Sequence, residues 1–261
     1  MSYSPQMLRP LDLSAKQGAS PSFIGLGTPK AGTSWWYNLL LQHPQIAENN
    51  FGVKETCFYS HAWPDEETDE FLERYRKGFY SADSSILKGE WSPLYFSHPF
   101  ALKRITNHFP DTRFLIIFRN PIDAFYSWIN QLLRKRASRM IRQDEESKFM
   151  YLNYDAIPSI FSQIVRYPAI LAELKEEYGS NILCLQYEEN ARNTQAQYNK
   201  TTDFLGIARH KLCDANIRVN AAKTNLVSEM KFPSVAITEL KHSAEHLLTL
   251  CPDFDANLWS C

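Results

Sequence analysis

The sequence predicts an α/β fold, a central parallel β-sheet flanked by helices, and three observations carry that prediction. Short apolar segments alternate with longer helical stretches along the chain, the pattern of repeated strand–helix units. One of them, RFLIIF (Arg113–Phe118), is apolar without alternation, as a strand covered on both faces must be. The third is a glycine-bearing turn, Gly27 to Gly32, set between an apolar segment and a helical one. P-loop-like strand-loop-helix phosphate sites are built that way.

The elements follow in order. Residues 1–21, rich in Ser, Pro and Gln, read as a flexible lead-in, and residues 22–261 as one domain. SFIGLG (Ser22–Gly27) is the first strand. TSWWYNLLLQ (Thr33–Gln42) has helical character and stops at His43-Pro44. Pro99 and Phe109-Pro110 bracket a second helix with Leu102 and Ile105 on one face. After the central strand, Asn120-Pro121 caps a helix through DAFYSWINQLLRKR, with Pro in its first turn and Asp123 near the cap. Helical pieces over Ile157–Tyr178 break or kink at Pro168. A strand, NILCLQY, follows, then a helix ending near DFLGI and a last one over SVAITELKHSAEHLLTL.

Composition narrows the function. Hydrophobic residues make up 44% and charged residues 22%, which excludes wholesale disorder. A net charge of −1 argues against a surface devoted to nucleic acid or to a polyanionic sugar and leaves room for local basic patches. The five cysteines (Cys57, Cys184, Cys213, Cys251, Cys261) show no C-x-x-C pair and no metal-ligand spacing, so they read as reduced thiols. There is no signal-peptide core, and no apolar run reaches the roughly 20 residues of a membrane span. The expectation is a cytoplasmic protein with no nucleic-acid, membrane or metal partner; the oligomeric state is not legible.

Two stretches carry chemistry. In FIGLGTPKAGTSWW (Phe23–Trp36) the glycine spacing is that of a triphosphatase loop, G-x-x-x-x-G-K-[ST]. Thr33 stands where that loop has its lysine, and Lys30 sits inside the turn instead. In FRNPIDAFYS, Arg119 ends the central strand, where open α/β sheets gather ligands, and Ser127 lies in the helix that follows. Arg119 can clamp a phosphate bidentately. A triphosphatase would want an acidic magnesium ligand near that strand end. Two phosphate sites without one suggest a nucleotide with phosphates at two separate ends.

TPKAGTSW (Thr28–Trp35) and RNPIDAFYS (Arg119–Ser127), with the weaker LQYEE and FLGI, resemble the sulfotransferases that use 3′-phosphoadenosine-5′-phosphosulfate (PAPS). The resemblance spans roughly residues 22–207. It implies a co-substrate, PAPS, a product, adenosine 3′,5′-bisphosphate (PAP), and no metal. Position by position, Lys30, Ala31, Gly32, Thr33 and Ser34 would hold the 5′-phosphosulfate. Trp35 would pack on adenine with Tyr187 near it, although both fit a core role equally. Arg119 and Ser127 would bind the 3′-phosphate. Lys223, in NAAKTN, resembles a late basic loop that closes on that phosphate, and a solvated lysine fits it as well.

VKETCFYS resembles the K-E-x-x-F-[FY] segment of the heparan-sulfate and bacterial branch, which makes Glu55 the general base and Lys30 and Glu55 the catalytic pair. Glu90 is the alternative base. GEWSPLYF resembles that branch's E-K-[ST]-P-x-Y-F, but Trp91 replaces the lysine, removing one cation from the acceptor side. His61 and His98 carry no role. Phe58, Tyr59, Trp63, Trp91, Tyr95 and Phe96 would wall a small acceptor or else fill the core. The resulting expectation is sulfuryl transfer by in-line displacement to a hydroxyl or amine of a small molecule, free or tethered to a carrier. A P-loop-type kinase and a non-catalytic nucleotide-binding module are the rival readings.

Overall fold

The computed structural model describes residues 18–61, 68–98, 100–140, 156–214 and 232–259. Five strands, β1 (Phe23–Gly27), β2 (Ile46–Ala47), β3 (Leu87–Trp91), β4 (Arg113–Phe118) and β5 (Ile182–Gln186), form a parallel sheet. Their order is β2-β3-β1-β4-β5. The helices are α1 (Thr33–Leu40), α2 (Phe58–His61), α3 (Asp69–Lys77), α4 (Ala101–His108), α5 (Pro121–Met140), α6 (Ala156–Val165), α7 (Tyr167–Tyr178), α8 (Tyr187–Arg192), α9 (Thr194–Phe204) and α10 (Ser234–Leu250).

Alternation along the strands sorts side chains onto two covered faces. Ile24, Leu26, Phe114, Ile116 and Phe118 point to one face, where they meet α2 to α7 and α10. Phe23, Leu115, Ile117, Leu183 and Leu185 point to the other, against Trp35, Trp36, Leu39 and Leu40 of α1 and Tyr198 of α9. Burial on both sides is why β4 reads as an unbroken apolar run. The chain order reverses around β1: β3 lies on one side of it and β4 on the other. Loops leaving the carboxyl ends of these strands therefore converge on one crevice.

Several elements differ from expectation. The sequence reading did not anticipate β2 and β3; β3 (LKGEW) hides because it carries Lys88 and a buried Glu90 rather than an apolar run. The break after α6 falls at Arg166, not Pro168. Pro168 sits in the first turn of α7, where a missing N–H leaves nothing unpaired. Pro99 lies outside the described residues, and α4 starts at Ala101. His98 has a structural part there: its Nδ1 accepts from Phe100 N at 3.3 Å and Ala101 N at 3.0 Å. At the end of the predicted lead-in, Ala19 N donates to Arg76 O (3.0 Å) and Thr112 Oγ1 donates to Pro21 O (3.0 Å).

Candidate functional site

The turn after β1 is pinned at one end and strained at the other. Thr28 donates to Ile117 O twice, from N at 2.8 Å and from Oγ1 at 2.9 Å, which ties the turn to β4. Lys30 then takes φ = 67°, a left-handed conformation that costs a non-glycine residue free energy. Gly32 follows at φ = 77° as the cap of α1, and a Cβ there would meet the Tyr187 ring at 2.7 Å. The first N–H groups of α1 have no partner inside the helix and face the crevice with the positive end of its dipole. Gly25 and Gly27 lie in β1. A Cβ on Gly25 would lie 2.0 Å from the Trp91 ring, and one on Gly27 would lie 2.8 Å from Phe96. Both make room for core aromatics. Only Gly32 shapes the turn itself.

The end of β4 approaches the same place. Arg119 NH1 donates to Lys30 O at 3.4 Å, and its guanidinium stands 5.1 Å over the Tyr187 ring. Tyr187, at the start of α8, meets Trp35 edge-on with ring centroids 6.2 Å apart. Thus Gly32, Trp35, Arg119 and Tyr187, distant in sequence, form one cluster. Arg119 NH2 lies 4.0 Å from Asp123 Oδ2, and Ser127 is one helical turn further along α5 on the same face. Two buried donors in this cluster, Arg119 Nε and Trp35 Nε1, have no hydrogen-bond partner among the described residues. Buried donors are rarely left so. Lys223 lies outside the described residues.

Glu188 was missed by the sequence reading, and it holds this junction in place. Its carboxylate accepts from Asn120 N at 2.9 Å and Trp259 Nε1 at 2.7 Å. Burial pushes the Glu188 carboxyl above the usual range, and those two hydrogen bonds oppose the shift.

On the other flank, the segment Lys54–Cys57 enters from β2. Trp91 N donates to Lys54 O at 2.8 Å, docking it on the end of β3. Lys54 Nζ donates to Thr33 Oγ1 and Ser34 Oγ, each at 3.1 Å, and lies 2.7 Å from Glu55 Oε1. The Lys54 side chain is 15% exposed and that of Glu55 47%, so the pair is half inside the crevice. Burial lowers the affinity of Lys54 for its proton, and Glu55 offsets part of that. Cys57 holds φ = 50°, a second strained residue at the site.

Glu90 and Trp91 depart from expectation. Glu90 is fully buried, and five donors converge on it. Its Oε2 accepts from Thr56 N (3.0 Å), Thr56 Oγ1 (2.6 Å) and Ser92 Oγ (2.7 Å). Its Oε1 accepts from Tyr75 OH (2.6 Å) and Tyr95 OH (3.1 Å). With both oxygens engaged and no exposure, Glu90 cannot meet an acceptor as a base; it anchors the segment that carries Glu55. Desolvation pushes its carboxyl upward against the pull of these hydrogen bonds. Trp91 turns beneath β1 and donates from Nε1 to Gly27 O at 3.1 Å, so it leaves the acceptor flank altogether. Phe58, Tyr59, Trp91, Tyr95 and Phe96 are core residues with at most 1% exposure, which removes them as acceptor walls. Trp63 lies outside the described residues.

A family model described as a sulfotransferase domain matches residues 20–251. The chain belongs to that family. Among solved structures, this sulfotransferase resembles the Alicyclobacillus acidocaldarius sulfotransferase at TM-score 0.61, with 21% identity over 93% of this chain and all of that one. It also resembles the sulfotransferase domain of the Curacin biosynthetic pathway at TM-score 0.51, with 14% identity over 88% of this chain and 98% of that one. Both likenesses are of fold. Two curated relatives match part of the sequence. One is the membrane-associated sulfotransferase kil1 of Dictyostelium discoideum, 24% identical over 60% of this chain and 33% of its own length. The other is the bifunctional heparan sulfate N-deacetylase/N-sulfotransferase 1 of Caenorhabditis briggsae, 25% identical over 49% of this chain and 15% of its own. The chain thus spans a third or less of the curated relatives it matches.

The two flanks differ in what they bring together. One gathers backbone N–H groups, an arginine and two aromatics; the other presents a half-exposed carboxylate on an anchored segment. Among the described residues, no helix is long and apolar enough to cross a membrane. The described cysteines, Cys57, Cys184, Cys213 and Cys251, form no disulfide; Cys261 lies outside.

Proposed function

We propose that this sulfotransferase moves the sulfuryl group of PAPS to a hydroxyl or amine of a small-molecule acceptor in the cytoplasm. Lys30, Ala31, Gly32, Thr33 and Ser34 form a donor loop for the 5′-phosphosulfate. Lys30 supplies charge where the leaving phosphate oxygen becomes negative. Trp35 and Tyr187 border the adenine, Arg119 and Ser127 take the 3′-phosphate, and Lys223 is a further cation for it. Glu55, on the acceptor segment Lys54–Cys57, removes the acceptor's proton as its oxygen or nitrogen bonds to sulfur. The proton then rests on the carboxylate.

The observation that carries this reading is the juxtaposition of the two phosphate motifs around Tyr187, with Arg119 Nε and Trp35 Nε1 buried and without a hydrogen-bond partner among the described residues. A nucleotide phosphorylated at both ends would use donors from both motifs at once. The test is a melting series with PAP, AMP and ATP. PAP at about 100 times its Kd should add roughly 2.7 kcal/mol of stability, well beyond AMP or ATP. Arg119→Ala should erase the difference between PAP and AMP. Equal shifts for PAP and AMP in the wild type would remove the 3′-phosphate site.

A further inference from the structure

We infer that Trp259 is a positioning residue for the 3′-phosphate site, and that the segment Phe254–Trp259 sets the preference for a nucleotide carrying that phosphate. The inference rests on the PAPS-dependent reading above. Arg119, which would clamp the phosphate, is only loosely tied by its own side chain. Its NH1 bond to Lys30 O is 3.4 Å long, and Asp123 stands 4.0 Å from NH2. Its Nε has no hydrogen-bond partner among the described residues. A guanidinium held this way takes its aim from the chain on either side of it.

Both chain neighbours of Arg119 lean on Phe254–Trp259. Phe118, before it, packs on Phe254 with ring centroids 6.4 Å apart, and Phe254 meets Trp259 edge-on at 5.6 Å. Asn120, after it, donates from N to Glu188 Oε1 at 2.9 Å and from Nδ2 to Trp259 O at 3.4 Å. Trp259 closes the circuit by donating from Nε1 to Glu188 Oε2 at 2.7 Å. The segment is stitched to β5 as well. The Asp255 backbone and the Gln186 amide exchange two hydrogen bonds, of 2.9 and 3.0 Å, and Asp255 pairs with Arg192 at 3.0 Å. Gln186 lies opposite Phe118 in the sheet and precedes Tyr187, the ring under the Arg119 guanidinium. Phe254–Trp259 therefore backs both strand ends that present the arginine. Trp259 stands past residue 251, the end of the family match, so this backing lies outside the shared domain.

One hydrogen bond governs the arrangement. A carboxylate withdrawn from water needs donors on its oxygens, and Trp259 Nε1 serves one oxygen of Glu188 while Asn120 N serves the other. Burial already raises the affinity of Glu188 for its proton. Without the indole N–H the carboxyl goes further toward its neutral form or turns, and its hold on Asn120 N weakens, since a charged acceptor makes the stronger bond. The peptide after Arg119 is then free to shift. Phenylalanine at position 259 would keep a ring against Phe254 and remove only that donor.

The test compares Trp259→Phe and Glu188→Gln with wild type by calorimetric titration of PAP and of AMP, with melting curves to show that each variant is folded. Both variants should bind PAP about tenfold more weakly, part of what a charged hydrogen bond contributes. AMP, which lacks the 3′-phosphate, should bind within about twofold of wild type, so the preference for PAP shrinks by nearly the whole loss. A merely structural role would weaken the two nucleotides alike. The role is overturned if either variant keeps the wild-type ratio of PAP to AMP affinity, whether both affinities hold or both fall by the same factor. A wild type that binds PAP no better than AMP overturns the 3′-phosphate reading itself, before any variant is compared.

Discussion

The donor loop and the acceptor segment leave the same edge of the same sheet, and each contains a non-glycine residue at positive φ, Lys30 and Cys57. They are held by different means. Backbone holds the donor loop: Thr28 bonds twice to β4, and Gly32 admits the Tyr187 ring. The acceptor segment has one backbone bond to β3, Trp91 N to Lys54 O, and otherwise rests on a buried carboxylate, Glu90, whose donors come from four residues of three different segments. A loop fixed by its own backbone can stay constant while its ligand stays constant. A segment fixed by distant side chains can shift as those side chains change, which suits the flank that must match a particular acceptor. Lys54 joins the two.

This contrast can be broken by mutation. The largest effect is expected at Glu55. Glu55→Gln removes the basicity and keeps the shape, so kcat should fall by about 10² to 10⁴-fold, the usual contribution of a general base. Steady-state sulfation of any accepted phenol or alcohol measures it. If Glu55 serves only to neutralise Lys54, most of the activity will survive.

A smaller effect, on stability, is expected at Glu90. Glu90→Gln leaves buried hydroxyls competing for one acceptor oxygen and should cost about 1–3 kcal/mol in denaturant unfolding. Its pH dependence has a definite sign. Burial raises the folded-state affinity of Glu90 for its proton above that of the unfolded chain. The stability it contributes is therefore fully present below the unfolded carboxyl's pKa of about 4.3 and is lost as pH rises through the higher folded value. The wild-type advantage over Glu90→Gln should be greatest at acid pH and shrink toward neutrality. A gap that widens toward neutral pH would contradict the shift.

The same contrast decides what the sequence could reveal. The donor side was legible because its parts are close in the chain: Lys30 to Trp35 form one turn, and Arg119 to Ser127 one strand end and helix start. Continuous apolar runs likewise located β1, β4 and β5. The acceptor side was opaque because its order comes from pairs such as Thr56 and Glu90, 34 residues apart. Nothing in LKGEW marks a buried strand, since its interior positions hold a glycine, a glutamate and a tryptophan. Trp91 was placed on the acceptor flank because a motif gives residue order but not the face a side chain takes; Gly25, which leaves space for its ring, was the available signal. Lys54 was legible as the neighbour of Glu55, while its bonds to Thr33 and Ser34 needed the fold.

The central claim is that nucleotide binding belongs to the donor side and proton removal to the acceptor side. Calorimetric titration of PAP into Glu55→Gln and Arg119→Ala tests it most directly. The account predicts that Glu55→Gln binds PAP within about twofold of wild type, while Arg119→Ala loses the roughly 1.5–3 kcal/mol of a charged hydrogen bond, about 10 to 100-fold in Kd. Equal losses in the two variants, or an unchanged Kd for Arg119→Ala, would contradict it.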